Sequence, residues 1–506
     1  VAESETVAGG ARSGLSRRKS SFAGDVLKLV SGTTFAQALS ILIAPILSRL
    51  YAPDAFGTAA VFVSITGIIS VVACLRYELA IMLPEQDEDA ANLLAVSLSL
   101  ALSIAGLSAV LIVLLHGPIV RLLNAPDLTP YLWLVPLGVL TNGVFLALNY
   151  WNSRTKHFGR LSIARISQSV VTSGTQLGMG VVGQAHAGGL ISAGVLGSAV
   201  VTAVLGGQIW RDDQQLFRGN VRLGRMSDGL RRYRKFPLLD IWGALLNSVS
   251  WQLPVLMLSV LFSQTVVGYY AFANRLIQLP MALIGGALAQ VFFQRASEAH
   301  AKQTDLASVV EMVFRRLVAL GLFPALLMTI VGRELFVVVF GQNWAEAGIY
   351  VQILGLWMFF WFISSPLSTL YVVLERQELG LILHVAILIT RISSLAIGGL
   401  LGNVYLALGL FAGSGVFVYG GLTILNMVLA GVSLPSCFCT LLQYGLYSVP
   451  AVLILLLLKL WYKADMWLIF AVTAVALLTY YAFILRRDTD LRRHVLSALP
   501  RAWKRI

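Results

Sequence analysis

Two arginines stand inside long apolar runs, where a charge is costly and therefore informative. Arg275 has Asn274 beside it and Gln278 one turn later, which places Arg275 and Gln278 on one helix face. Arg391 has His384 two turns before it on the same face. A cation at the centre of a bilayer costs roughly 2.5–3.5 kcal/mol even on insertion scales, so each is a functional candidate by default. Either the guanidinium stands on a water-filled path for an anionic substrate, or backbone carbonyls hold it inside a helix bundle. Arg49 closes the first apolar run, and Arg76, Tyr77 and Glu78 lie near the inner end of the second. For Arg76 and Glu78 the competing reading is a local pair with snorkelling at the interface. A planar guanidinium engages phosphate or carboxylate oxygens in bidentate fashion, so this set points to an anionic ligand.

Acids are scarce within the runs. Asp25, Asp240, Glu311 and Glu375 lie at their ends, and Glu78 and Asp240 are the only candidates for coupling to an ion. The three cysteines, Cys74, Cys437 and Cys439, have no metal-ligand spacing, so neither a metal site nor a cofactor is expected. Gly178 to Gly183 matches GxGxxG, but the match lies in an apolar span and no acid follows until Asp212. With Gly174 it reads better as a close helix-packing stripe. The aromatic set Trp357, Phe359, Phe360, Trp361 and Phe362 is expected at lipid or at the interface, with sugar stacking as the rival reading. The largest outer loops, near 116–127 and 333–346, hold no paired carboxylates or His-acid constellation, so no catalytic step is expected.

The elements that must position these residues follow from composition. Of 506 residues 58% are hydrophobic and 12% charged, with a mean hydropathy of +0.80; soluble domains carry about 25% charged residues. The chain is an all-α polytopic membrane protein with about fourteen spans, near 26–48, 56–81, 91–115, 128–150, 161–183, 187–210, 237–261, 265–292, 311–332, 347–373, 379–401, 404–430, 438–460 and 465–485. The expected organisation is a disordered cytoplasmic tail (1–25), a six-helix lobe (26–210), a basic cytoplasmic linker (211–236), a second six-helix lobe (237–430), two additional helices (431–485) and a basic cytoplasmic tail (486–506).

The net charge of +13 has two usual meanings, nucleic acid or membrane topology. With both termini inside, 30 of the 37 basic residues fall in inner loops and tails and five outside, which leaves Arg275 and Arg391. The surplus is topological and no nucleic-acid partner is expected. A repeat is also visible: Pro45 precedes Gly57 in the first half as Pro254 precedes Gly268 in the second. Paired halves with the substrate path between them are a recurrent transporter plan.

Several stretches resemble the polysaccharide-export branch of the multidrug/oligosaccharidyl-lipid/polysaccharide exporter superfamily, which includes the O-antigen flippases. They are Ala44 to Gly57 continuing through Arg76-Tyr77-Glu78 to Pro84; Leu148 to Arg154 with Arg165 and Gln168; Gly268 through Asn274-Arg275 to Phe292; and Ser365 through Glu375-Arg376-Gln377. The resemblance implies two six-helix lobes around a central cationic cavity, with two helices added beside the second lobe. It implies alternating access that moves an undecaprenyl-diphosphate-linked oligosaccharide from the cytoplasmic to the periplasmic leaflet of the bacterial inner membrane. The pathway implied is O-antigen, lipopolysaccharide or exopolysaccharide assembly, with membrane lipids and polysaccharide polymerase machinery as further partners. Arg76 and Arg275 fall in matching stretches. The middle of the first span departs from members that carry a cation there, having only Gln37 and hydroxyls. The rivals are a cation-coupled multidrug or metabolite exporter of the same fold and a membrane glycosyltransferase or polymerase.

Overall fold

The computed structural model describes residues 22–487 except 280 and 282–284, with side chains described from residue 32 onward save those of 287, 377 and 381. The tails expected at 1–25 and 486–506 lie almost wholly outside the described residues. Among the described residues every regular element is helical. In chain order these are α1 (Phe22–Leu50), α2 (Pro53–Val71), α3 (Tyr77–Ala80), α4 (Asp87–Leu122), α5 (Val135–Arg154), α6 (Phe158–Val181), α7 (Ala187–Asn220), α8 (Leu223–Arg232) and α9 (Ile241–Leu261). The second half continues with α10 (Gln264–Ile277), α11 (Gly286–Ala301), α12 (Leu306–Phe340), α13 (Ala345–Leu367), α14 (Leu370–Val373), α15 (Gln377–Leu400), α16 (Val404–Leu429), α17 (Leu434–Leu456) and α18 (Met466–Arg487).

Local chemistry sets these limits. Pro53 starts α2, where its missing N–H costs nothing. Asp305 and Asn403 cap α12 and α16 by accepting from the Ser308 and Leu406 amides at 3.0 Å. Gly341, at φ 99°, stops α12 in a conformation that a side chain would strain.

Twelve helices are long and apolar enough to cross a membrane among the described residues. The fifth and eighth expected spans account for the difference from fourteen. Helix α6 has the length but carries Arg160, Arg165, Gln168 and Gln176 along with several hydroxyls. The eighth is divided between α10 and α11, of 14 and 16 residues, each too short alone. Large exposed side chains such as Leu42, Leu102, Leu114, Phe417 and Leu478 give the bundle an apolar exterior suited to hydrocarbon. The protein is a multi-pass membrane protein.

Helices α1, α2 and α4–α7 pack among themselves, as do α9–α13, α15 and α16, while α17 and α18 lie against α12. The two lobes meet chiefly where α2 crosses α9 and α10. At that crossing a Cβ on Gly57 would overlap the Gln264 carbonyl, and a Cβ on Gly268 would overlap the Pro53 carbonyl. The two positions singled out by the repeat are therefore reciprocal contacts of one tight seam.

The remaining packing expectations fare differently. Gly174 and Gly178 face open space, and the close approach on α6 is made by Gly180 against Leu50 and Tyr51. Trp357, Phe359, Trp361 and Phe362 are buried in protein, because α13 is surrounded by α10, α12 and α16. The stretch expected as a linker is largely helical: α7 runs on to Asn220, held by Arg160 against Asp212 (2.7 Å) and the Trp151 indole on Asp213 (3.0 Å), and α8 follows.

Candidate functional site

The lobes are stitched together unevenly along the seam. At the end away from the basic loops, Asn124 donates to Phe262 O (3.0 Å), Gln264 to Asn124 O (3.0 Å), Ser48 to Phe340 O (3.0 Å) and Ser259 to Leu123 O. Trp344, fully buried, donates to Ser48 O at 2.7 Å and packs against Phe272 (4.2 Å) and Phe56 (5.1 Å). Arg49 belongs to this far-end seal: its guanidinium donates to Pro45 O (2.7 Å) on its own helix and across the seam to Val339 O (3.0 Å), a carbonyl that the end of α12 leaves open.

Towards the basic end the seam loosens into isolated polar links. Ser64 on α2 donates to Gln252 on α9 at 3.0 Å, and Arg275 on α10 donates to Ser40 on α1. Arg275 is an exposed residue whose guanidinium is held at that link. Asn274 beside it has a buried side-chain oxygen without a partner, and Gln278 is half-buried one turn on.

At the basic rim, three of the expected residues converge. Leu75 and Arg76 both take left-handed backbone, at φ 49° and 67°, which breaks the chain between α2 and α3. That turn aims Arg76 at Asp240 (2.7 Å), just before α9, and at Glu78 (3.3 Å). Glu78 is fully buried and one of its oxygens has no partner. It lies between the spans, and burial holds its carboxyl above the usual carboxylate range, with Arg76 opposing and Asp240 reinforcing the rise.

Arg391 stands apart, inside the second lobe. It is 5% exposed and donates to Ser250 O (2.6 Å), Ser250 Oγ (3.1 Å) and Tyr419 Oη (3.3 Å). Its guanidinium also lies 4.9 Å from the Trp251 ring. These groups line a cavity of about 510 Å³ between α9, α13, α15 and α16, with His384, Asn247, Ser364, Ser368 and Trp361 on its walls. The size suits a ligand headgroup, and the walls mix aromatic faces with hydroxyls and one cation.

One cation escaped the sequence reading. Arg165, one of the 30 basic residues that the sequence assigns to the inner side, lies two turns inside α6, 4.5 Å over the Phe145 ring, and donates to Gln168 at 3.1 Å. Seven residues past Phe158, it is too near a span boundary for hydropathy alone to place. Among the described residues, Arg165, Arg275 and Arg391 have no carboxylate partner.

Comparison with known proteins agrees with this architecture. No curated protein matches the sequence. Among solved structures, the lipid II flippase MurJ in an inward closed conformation superposes with a TM-score of 0.71 at 11% identity, over 91% of this chain and 99% of that one. An inward-facing multidrug resistance transporter of the MATE family, in the MOP superfamily, superposes with a TM-score of 0.57 at 15% identity, over 82% and 95%. At these identities the likeness is one of fold. A family model described as polysaccharide biosynthesis protein matches residues 46–348. That match spans more than half of the sequence, and the chain belongs to the polysaccharide biosynthesis protein family.

Proposed function

We propose that the protein is a flippase that moves a lipid-linked oligosaccharide, carried on an undecaprenyl diphosphate, from the cytoplasmic to the periplasmic leaflet for surface polysaccharide assembly. The observation that carries this reading is the set of unpaired cations at membrane depth, Arg165, Arg275 and Arg391. A diphosphate and acidic sugars supply the missing negative charge, and the fork of each guanidinium matches their oxygens. Family membership and the fold shared with a lipid II flippase support the same substrate class. The sealed far end and sparser basic end fit alternating access caught open towards the side from which such a substrate arrives. Substrate contact is assigned to Arg275, Asn274, Gln278 and Arg391, with Arg76 at the entrance; Arg49 contributes to the far-end seal.

A cation-coupled exporter of the same fold is the second reading, favoured by the buried Glu78 beside Asp240. The two separate in liposomes holding the purified protein. The flippase reading expects transfer of a fluorescent lipid-diphosphate oligosaccharide between leaflets, lost in Arg275→Glu and in Arg391→Glu. Equal transfer by wild type and both variants overturns it. Uptake of a cationic drug driven by a proton or sodium gradient, without lipid transfer, establishes the exporter.

A further inference from the structure

A second cavity lies far from the lobe seam, where the two additional helices meet α12. Its volume is about 520 Å³. Three segments build it: the start of α12 with Glu311, Arg315 and Arg316, the middle of α17 with Gln443 and Tyr447, and the last turn of α18 with Arg487. Glu311 is already engaged, accepting from Ser436 and standing 3.8 Å from Arg315. Arg316 and Arg487 have no carboxylate partner among the described residues, and Arg487 lies 5.1 Å over the Tyr447 ring. Among the described residues the lining thus carries a net positive charge, three arginines against Glu311, at the basic end of the spans.

Tyr447 and Phe483 form its inner wall, and the same two rings begin a second, apolar cavity of about 320 Å³. This groove is walled by Pro450, Ala451 and Ile454 of α17 and by Val472, Val475 and Ala476 of α18. From Phe483 to Val472 it follows α18 for roughly 15 Å at 1.5 Å per residue, enough for about a dozen methylenes. A basic pocket opening onto an apolar groove in the adjoining leaflet has the shape of a lipid: phosphate at the arginines, chain between the helices.

We propose that this is a binding site for an anionic glycerophospholipid, its phosphate held by Arg315, Arg316 and Arg487 and one acyl chain lying between α17 and α18. Charge complementarity selects the occupant. A zwitterionic headgroup brings its own cation into a pocket already lined by three, whereas phosphatidylglycerol brings a phosphate with no counter-charge. The direct bonds by which α18 holds α12 are few, chiefly Tyr480 Oη to Ala319 O (3.2 Å) and Tyr481 Oη to Leu320 O (2.8 Å). A lipid spanning α12, α17 and α18 would add a joint where the chain itself supplies little.

Native mass spectrometry of the full-length protein in detergent tests this directly, with titration of phosphatidylglycerol, phosphatidylcholine and free glycerol phosphate. Wild type is expected to hold one phosphatidylglycerol more tightly than the rest, at least tenfold over phosphatidylcholine, and glycerol phosphate should not displace it. Each arginine near a membrane surface contributes roughly fivefold to anionic lipid binding, so replacing all three by Gln should weaken it about a hundredfold. Arg487→Gln alone, at an exposed helix end, should weaken it about fivefold and guards against misfolding of the triple variant. Ala476→Phe, which fills the groove, should weaken phosphatidylglycerol while leaving any response to glycerol phosphate unchanged. Arg231→Gln with Arg232→Gln on α8 is the control and should change nothing. Equal retention of both lipids, unaltered binding in Arg487→Gln, or displacement by glycerol phosphate overturns the proposal.

Discussion

Replacing Gly57 by Ala should loosen the far-end seal without unfolding the protein. The new methyl would overlap the Gln264 carbonyl and stand 3.0 Å from the Gly268 amide nitrogen. Both are backbone atoms at the start of α10, so no rotamer change relieves the contact. The helices must part by roughly 1.5–2 Å to reach an ordinary carbon–oxygen contact of about 3.3–3.6 Å. Overpacking of this kind costs about 1–3 kcal/mol. If the lobes separate there on opening, the cost falls on the closed state, and the closed-to-open ratio drops by roughly five- to 150-fold. Gly268→Ala acts on the same seam through Pro53 O. One separation relieves both overlaps, so the double variant should fall short of additivity.

The readout is a single cysteine at Ala125, which is fully buried within this seal, in a background with Cys74, Cys437 and Cys439 replaced. Labelling by a membrane-impermeant maleimide proceeds through the open state, so its rate follows the open population when closing is fast. Gly57→Ala should label roughly five- to 150-fold faster than its parent. Gly174→Ala, where nothing lies within 4 Å, should match the parent. A Gly57→Ala protein that labels no faster, at unchanged thermal stability, would refute the idea that this crossing holds the far end shut.

Four further outcomes are expected. Arg275→Lys should retain partial lipid transfer and Arg275→Ala none, since a point charge keeps the attraction but loses the fork; equal activity of the two removes the phosphate-binding argument. Arg391→Met should leave the protein as stable or more so, because the uncompensated buried charge is gone, while lipid transfer falls at least tenfold; a marked drop in unfolding temperature would instead assign Arg391 to structure. Acidification should protonate Glu78 before ordinary carboxylates, as its pKa is raised, and release one of the two ion pairs of Arg76. Glu78→Gln should therefore reproduce at neutral pH the transport rate that wild type shows in acid, and a variant that still changes rate over the same pH window argues against it. Lys459 stands 3.1 Å from the buried Glu334, and Lys459→Met should cost on the order of 3 kcal/mol in denaturant unfolding, largely recovered by adding Glu334→Gln.

Hydropathy and the distribution of basic residues suffice to find the spans, because the bilayer imposes one length and one sidedness on all of them. The signal is weakest at α6 and at α10–α11, where polar residues or a division of the helix dilute it. Arg275 and Arg391 are visible in sequence since nothing local explains a cation there. Their surroundings are not: Ser250 is 141 positions from Arg391 and Ser40 is 235 from Arg275. The rim cluster depends on two residues in left-handed backbone, Leu75 and Arg76, which no propensity announces. The aromatic run of α13 is indistinguishable from a lipid-facing stripe until α10, α12 and α16 are seen to enclose it.

Carboxylate pairing separates several arginines at the basic end from three that lie deeper in the bundle. Arg76, Arg154, Arg160 and Arg225, near the basic end, meet Asp240, Asp87, Asp212 and Glu88 at 2.7–3.0 Å. Arg165, Arg275 and Arg391 meet rings, hydroxyls, an amide and a carbonyl instead. Desolvation works in the opposite sense, since a counter-ion matters most where water is least available. A bundle that needed these three only for packing would be better served by Met, or by a nearby acid. Neutral partners fix the position of a guanidinium while leaving its charge unspent, and that is the condition a site must meet to attract a diphosphate at one stage of the cycle and release it at another. In the flippase proposed above, a carboxylate in each place would compete with the phosphate for the same fork, and its absence would leave the path cationic.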